Sequence, residues 1–342
     1  MLTIQSDDTA TVVLKTGSGA VWTVAFHPDG KHVFGGTSHG IRRWRIADGQ
    51  EVGNQTGMNL SAISVSRDHK WVLCGTEGGA NVWDAELREK VVAVEDTQDV
   101  RAVDVAPDCS RFVTGTTRNE ANIWNITTGE RLVGPLKHGG TVRGVKFSVD
   151  GGRIATACPE DSTIRIFDSH NGDQLIFIDN PMPSASPLTP IVWAADGQRL
   201  FAISIDNKLK SFDSSTGSQL AEWKIHENDN SERMSIALSP NNKVIMIASC
   251  AGRFISFWDT WTYAQLGIVK DTEKIQSIAF SPDGSCLASG SYTSGTINIW
   301  DLRGILPGFH FPIEVSIMFP GQRQHSFIVY APKIPVQFEP RM

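Results

Sequence analysis

The chain has 342 residues, of which 40% are hydrophobic and 20% are charged, and its formal net charge is −6. A chain of this length buries a sizeable core, and it corresponds either to two ordinary domains or to one large closed repeat fold. The acidic balance provides no overall attraction to nucleic acid or to an anionic membrane surface.

The pattern of the first residues is not that of a signal peptide. Residues 1–14 lack a basic stretch followed by an apolar one, and no run of about 18 apolar residues occurs in the chain. The five cysteines are widely spaced, which is typical of reduced thiols. We therefore expect a cytoplasmic location, with the nucleus as the alternative, and five free thiols without a disulfide.

Two markers recur along the chain with a period of roughly forty residues, which indicates a repeat fold. The first is a tight turn of the form x-Pro-Asp-Gly, best preserved at 27–30 and 281–284. The second is an aromatic residue that closes a short apolar strand, and it occurs at Trp44, Trp83, Trp124, Phe167, Phe212, Trp258 and Trp300. Because two independent markers keep the same period, we predict an all-β chain of seven units with four short strands each.

The ends of the strands indicate the kind of repeat. Several of them are Trp-Asp dipeptides, namely Trp83-Asp84, Trp258-Asp259 and Trp300-Asp301. Together with less regular forms in the other units, they resemble WD40 repeats over about residues 10–303. The resemblance implies a seven-bladed WD40 β-propeller, in which an N-terminal strand at 11–15 pairs with the last blade, built from 271–303, and closes the ring.

The expected domain organisation is one propeller over residues 1–303 and a Pro-rich C-terminal tail over 304–342. The blades are expected near 18–53, 54–95, 96–134, 135–180, 181–225, 226–268 and 269–303. The tail contains two apolar alternating segments, 313–319 and 326–330. It is interpreted as a frayed end, as an extra strand or cover on the propeller, or as a docking segment for a partner.

WD40 blades often carry a buried tetrad of His, Ser or Thr, Asp and Trp, so the resemblance implies structural roles for matching residues. The fourth unit comes closest, with His138, Thr156 and Asp161, but Phe167 replaces the Trp. No unit has the complete set, and a sparse buried polar network is expected. The other residues assigned structural roles are Trp83, Trp258, Trp300 and Asp301.

No motif in the sequence indicates catalysis. There is no GxxxxGK[ST] phosphate loop, no HExxH zinc motif, no GxSxG nucleophile elbow and no CxxC pair. The repeat positions of His138 and Asp161 favour a structural role over a catalytic pair. We predict a protein that is not an enzyme and that uses no cofactor, no metal ion and no small-molecule substrate.

The resemblance implies a surface that binds other proteins or peptides. In this family, partner contacts often flank the first apolar position of each blade's first strand, and interfaces are enriched in Trp, Arg and Met. The predicted partner-binding residues are Trp22, Asp99, Arg101, Arg143, Glu160, Met234, Lys274 and Gln276.

Four of these residues, Trp22, Arg101, Arg143 and Met234, are expected to form the core of the binding site. The two arginines would hold an acidic segment, with Glu160 partly offsetting their charge. The alternative is that Trp22 packs into the channel mouth and the arginines are only solvated.

Three functions remain open at this point. The first is a protein-protein interaction scaffold that binds partners on the propeller face. The second is a substrate receptor of a cullin–RING ubiquitin ligase, because Trp300-Asp301-Leu302-Arg303 resembles the end of the WDxR box, although Ser294 stands where that box has Asp. The third is a propeller associated with nucleic acid or chromatin, which requires a basic patch formed by folding. The sequence of residues 281–303 also resembles the WD40 repeats of fungal incompatibility-type proteins, although this chain has no nucleotide-binding domain like theirs.

Overall fold

The computed structural model describes residues 10–17, 19–53, 57–95, 99–182, 191–194, 196–225, 234–241, 243–249 and 253–306, with the backbone of two further strands at 312–317 and 325–330. Within these ranges the chain forms antiparallel sheets and one short helix. Seven of the sheets are the blades of a β-propeller, so the predicted all-β, seven-bladed fold is confirmed.

The first three blades follow one another from the N-terminus, after a strand β1 at Val12–Lys15. Blade one contains β2 (Val21–Phe26), β3 (His32–Thr37) and β4 (Gly40–Arg45). Blade two contains β5 (Leu60–Val65), β6 (Trp71–Thr76), β7 (Gly79–Asp84) and β8 (Lys90–Glu95). Blade three contains β9 (Val100–Val105), β10 (Arg111–Thr116), β11 (Glu120–Asn125) and β12 (Arg131–Lys137).

The remaining blades continue in the same strand order. Blade four contains β13 (Gly144–Phe147), β14 (Arg153–Cys158), β15 (Thr163–Asp168) and β16 (Gln174–Asp179). Blade five contains β17 (Ile191–Trp193), β18 (Arg199–Ile203), β19 (Lys208–Asp213) and β20 (Gln219–Lys224). Blade six contains β21 (Met234–Leu238), β22 (Val244–Ser249), β23 (Phe254–Asp259) and β24 (Gln265–Lys270). Blade seven contains β25 (Ile275–Phe280), β26 (Cys286–Ser291) and β27 (Thr296–Asp301), with β1 as its outer strand.

The pairing of β1 with β27 closes the ring, as the sequence predicted. The register is antiparallel, with Val12 opposite Ile299 and Leu14 opposite Ile297. The Thr11 amide extends the ladder by donating to the Ile299 carbonyl at 2.8 Å. Leu14 is only 1% exposed, because it packs into the hydrophobic cluster between blades seven and one. The strand therefore joins the two ends of the propeller by hydrogen bonds and by apolar packing.

The blades are held together by apolar clusters and by a set of arginines on the face that carries the x-Pro-Asp-Gly turns. Arg153 in blade four donates to the carbonyl oxygens of Ser214 at 3.0 Å and Gly197 at 2.7 Å, both in blade five. Its guanidinium also lies 5.0 Å from the ring centroid of Trp193. Arg111 makes the same kind of bridge from blade three to Gly151 in blade four. These contacts link neighbouring blades at their edge, where the apolar core ends.

The C-terminal region continues after blade seven. A single helical turn, α1 (Leu302–Ile305), begins directly after β27. Strands β28 (Pro312–Ile317) and β29 (His325–Tyr330) then pair with each other in a separate two-stranded sheet, consistent with the alternation in the tail sequence. Docking of this hairpin on the propeller stays a prediction. In the described ranges no helix has the length and apolar character needed to cross a membrane.

Four cysteines lie in the described ranges, and all four are free thiols: Cys74, Cys109, Cys158 and Cys286. The fifth, Cys250, lies outside them. Burial raises the pKa of the Cys74 and Cys158 thiols to about 12. Both thiols are therefore protonated at neutral pH.

Candidate partner-binding site

A pocket of about 250 Å³ opens among blades one to four, on the face opposite the x-Pro-Asp-Gly turns. It is lined by Trp22, Asn59, Leu60, Ser61, Glu77, Arg101 and Arg143. Three of the four residues expected to form the core of a binding site, Trp22, Arg101 and Arg143, thus line one cavity. We call this cavity the face pocket.

β-bulges explain why Trp22 and Arg101 point into the face pocket. The pairing of β2 with β3 skips one residue between Val21 and Thr23, and the pairing of β9 with β10 skips one between Val100 and Ala102. The extra residue in each case is Trp22 or Arg101. Because a bulge leaves its extra residue out of the ladder, the side chain is aimed away from the packed faces of the blade.

The charges of the face pocket are already paired within the chain. The Arg101 guanidinium lies 2.8 Å from the Asp99 carboxylate, and the Arg143 guanidinium lies 3.3 Å from that of Glu160. Asn59 donates to Glu77 at 2.8 Å. The two arginines are therefore neither bare cations nor simply solvated. Their carboxylate partners orient them, while each guanidinium retains further N–H donors.

Trp22 provides the large apolar surface of the face pocket. Its ring meets that of Tyr292 from blade seven edge-to-face, with centroids 5.4 Å apart and planes at 73°. Trp22 is partly exposed. The contact with Tyr292 fixes the orientation of the indole. A bound group can therefore contact the indole at a low cost in side-chain entropy.

Met234, which was expected in the core of the binding site, does not line the face pocket. The residue is 3% exposed and packs between blades five and six with Ile236 and Ile247. The pairing of β21 with β22 runs without a bulge, from Met234 opposite Ser249 to Leu238 opposite Ile245. Without the extra residue, Met234 takes the buried first position of the strand, and a one-residue difference in register reverses the direction of a side chain.

The two predicted residues of blade seven also lie outside the lining of the face pocket. Lys274 is exposed, and its carbonyl accepts from the Tyr292 amide at 2.7 Å. Gln276 is the extra residue of the bulge in β25, but it is 3% exposed. Neither of its amide side-chain atoms has a hydrogen-bond partner among the described residues. Gln276 therefore presents little surface to a partner, and its role in partner binding stays a prediction.

The polar residues of blade four do not form the tetrad that the repeat pattern suggested. Thr156 donates to the Arg165 carbonyl at 3.2 Å rather than to His138. Asp161 accepts from the amides of Gly139 and Thr163. Both ring nitrogens of His138 are buried without a partner among the described residues. Burial, and then the nearby charge of Arg165, lower the pKa of His138 to about 4.

A connected polar network occurs instead in blade seven, around a residue that the sequence reasoning missed. The Trp300 indole donates to Ser289 at 3.0 Å, and Ser289 donates to Asp271 at 3.2 Å. Asn298 donates to the same carboxylate at 3.1 Å. Asp271 occupies the place of the tetrad His before the first strand, where a carboxylate can serve as the acceptor.

The other strand-closing residues have varied partners. Trp258 donates to Ser256 at 2.9 Å in its own strand, whereas the Trp83 indole nitrogen is buried without a partner among the described residues. Asp301 accepts from the Arg303 amide and forms an ion pair with its guanidinium at 2.7 Å. That ion pair lowers the pKa of Asp301. The Trp300–Arg303 segment thus bonds internally at the start of α1.

Family models match three stretches of this chain as "WD domain, G-beta repeat", at 10–45, 131–168 and 266–301. Each matched stretch begins with the outer strand of one blade, β1, β12 or β24, and continues through the three inner strands of the next. The first match thus begins with β1, the strand that completes blade seven. Each sequence repeat therefore contributes its first strand to one blade and its other three strands to the next blade. This offset links neighbouring blades through the chain itself.

Several known proteins are similar over part of the chain. A guanine nucleotide-binding protein subunit beta from Arabidopsis thaliana is 26% identical over 53% of this chain and 50% of its own length. A serine-threonine kinase receptor-associated protein from Dictyostelium discoideum is 26% identical over 43% of this chain and 50% of its own. A eukaryotic translation initiation factor 3 subunit I from Emericella nidulans is 28% identical over 43% of this chain and 46% of its own.

The chain thus spans about half the length of these curated relatives. The repeat matches and the observed topology lead to the same description. This chain is a seven-bladed β-propeller in which three stretches match the WD40 repeat.

Proposed function

We propose that this protein is an interaction scaffold that binds a partner protein through the face pocket, and that it acts by binding rather than by catalysis. The observation that carries the proposal is the convergence of Trp22, Arg101 and Arg143 on one cavity. An aromatic residue and arginines clustered in a recess are the residue types that dominate the energy of protein interfaces. The varied loops around the cavity are held in place by rigid blades.

The charges around the face pocket define the kind of segment that fits. Two guanidiniums line it, but Glu77 lines it too, and Asp99 and Glu160 pair with the arginines. A highly acidic segment would meet these three carboxylates. A partner segment that places an apolar side chain against Trp22 and one or two carbonyl or carboxylate oxygens near the arginines satisfies both features.

The names of the relatives are consistent with a role in assemblies. Two of them are subunits of larger proteins by name, and a third is a receptor-associated protein. A propeller that holds a partner on its face is the simplest function of this kind for a chain whose described residues carry neither a nucleotide-binding loop nor a nucleophile elbow.

Alanine variants of the face pocket test the proposal once a partner has been captured and identified by mass spectrometry. Trp22→Ala and Arg143→Ala are each expected to weaken binding by about 2 kcal/mol or more, because each removes a desolvated anchor. Isothermal titration with the purified partner measures the loss, and circular dichroism checks that the variants are folded.

Trp261→Ala is the matched control. Trp261 is 71% exposed and lies in the turn between β23 and β24, on the opposite face of the propeller. Its replacement is expected to leave the affinity unchanged. Full affinity in both pocket variants, or a loss confined to Trp261→Ala, would show that the partner binds elsewhere.

A further inference from the structure

Three potential metal ligands meet in blade four, close to the face pocket but outside its lining. His138 follows the outer strand β12, Cys158 ends β14, and Asp161 lies in the turn after it. A ring nitrogen, a thiol sulfur and a carboxylate oxygen from these residues lie within 4.8 Å of one another. Residues distant in sequence are thus brought to one point by the closing of the blade.

The histidine of this cluster is almost completely buried. His138 is 9% exposed, and both of its ring nitrogens are buried without a partner among the described residues. Burial of a polar atom without a partner is energetically costly, and a metal ion bound to one of the two nitrogens would offset part of this cost. A metal ion would therefore stabilise His138 more than it would stabilise Cys158 or Asp161.

The thiol of Cys158 has a second carboxylate beside it. Cys158 is fully buried, and its sulfur lies 3.9 Å from the Glu160 carboxylate, a possible fourth ligand. Gly140 permits this approach, because a Cβ there would lie 3.3 Å from the sulfur and 2.4 Å from the Glu160 Cβ. A larger residue at position 140 would thus push Glu160 and Cys158 away from the segment that contains His138.

The contacts of Asp161 both support and limit the site. Its carboxylate accepts from the Gly139 amide at 2.8 Å, from the amide and hydroxyl of Thr163 at 3.1 and 2.5 Å, and from Arg165 at 3.1 Å. Donors of this kind orient a ligating carboxylate, as in metal sites generally. The positive charge of Arg165 opposes a cation, so the affinity depends on the thiolate.

The geometry points to a Zn²⁺ site formed by His138, Cys158 and Asp161, with Glu160 or a water molecule as the fourth ligand. Nitrogen, thiolate and carboxylate together match Zn²⁺, whereas Mg²⁺ and Ca²⁺ prefer oxygen alone. Ligands of a tetrahedral zinc ion stand about 3.3–3.7 Å apart, so metal binding requires a contraction of at most about 1 Å from the 4.8 Å limit. On binding, the Cys158 thiol releases its proton to solvent and the sulfur bonds to the metal as thiolate.

Titration with Co²⁺ provides a test that does not depend on the partner. Purified protein, treated with a chelator and then dialysed, is titrated with Co²⁺ and followed by absorption spectroscopy. A thiolate-to-cobalt charge-transfer band is expected, and about one equivalent of Zn²⁺ should displace it. A second cluster, His27, Asp29 and His32, contains no thiol and therefore cannot produce this band.

Variants assign the band to the cluster. Cys158→Ser should abolish it, and His138→Ala should weaken Co²⁺ binding by about tenfold or more. Cys109→Ser, which alters a partly exposed thiol, should retain the band. Absence of the band in the wild-type protein would overturn the proposal, and so would its persistence in Cys158→Ser. If Cys158→Ser does not fold, an unchanged titration of His138→Ala has the same consequence.

Discussion

Replacement of Leu14 by alanine is expected to lower the free energy of unfolding by about 2–5 kcal/mol, although the residue lies near the end of the chain. Leu14 is 1% exposed and fills the cluster shared by blades seven and one. The substitution removes apolar contacts at the point where the ring is closed. Equilibrium unfolding in urea measures the change.

Val13→Ala is the matched control for this prediction, because Val13 belongs to the same strand and is 53% exposed. Its replacement should change the stability by about 0.5 kcal/mol or less. Removal of residues 1–16 eliminates β1 and leaves the edge of β27 unpaired, so the truncated protein should unfold at a lower temperature and aggregate. Equal stability of Leu14→Ala and the wild-type protein would mean that β1 does not close the ring.

The second large effect is expected for Arg153→Ala, at about 3 kcal/mol of lost stability. The substitution leaves two carbonyl oxygens of blade five without their charged donor and removes the contact with the Trp193 ring. Hydrogen bonds to charged groups contribute about 1.5–3 kcal/mol, and a cation–π contact adds about 0.5–1 kcal/mol. Calorimetric or chemical unfolding of the variant measures the loss.

Arg131→Ala serves as the control for the arginine bridge, since Arg131 is exposed on the outer strand β12. We expect a change of about 0.5 kcal/mol or less. A conservative Arg153→Lys variant should recover only part of the stability. The single ammonium group of lysine cannot replace the planar guanidinium, which donates to two acceptors at once. Similar stability of Arg153→Ala and Arg131→Ala would exclude the bridge as a stabilising element.

The seven-unit ring was predictable from periodicity, whereas its closure by an N-terminal strand was implied by the resemblance to WD40 repeats. The strand-closing aromatic residues and the hairpin turns follow one period, and a strand left over before the first unit has only one open edge to pair with. Trp22, Arg101 and Arg143 line one pocket because they occupy equivalent positions in the repeats of blades one, three and four, and their role in partner binding stays a prediction. Equivalent positions of a repeat lie side by side in the ring.

The errors arise where a blade departs from its neighbours. Met234 is buried because β21 lacks the bulge that turns Trp22 outward, and no residue type in the sequence marks a missing bulge. Asp271 was missed because the tetrad pattern requires His, whereas the structure requires only an acceptor for Ser289. Glu77 reaches the face pocket from a turn between strands, so only the packing of blades reveals it.

The central claim is that a partner contacts the face pocket, and site-specific photo-crosslinking tests it most directly. The photoreactive residue p-benzoylphenylalanine is placed at Asn59, which is exposed and lines the pocket, and separately at Trp261 on the opposite face. After irradiation in the presence of the partner, we predict a crosslinked product from position 59 and none from position 261. A crosslink from position 261 alone would contradict the claim.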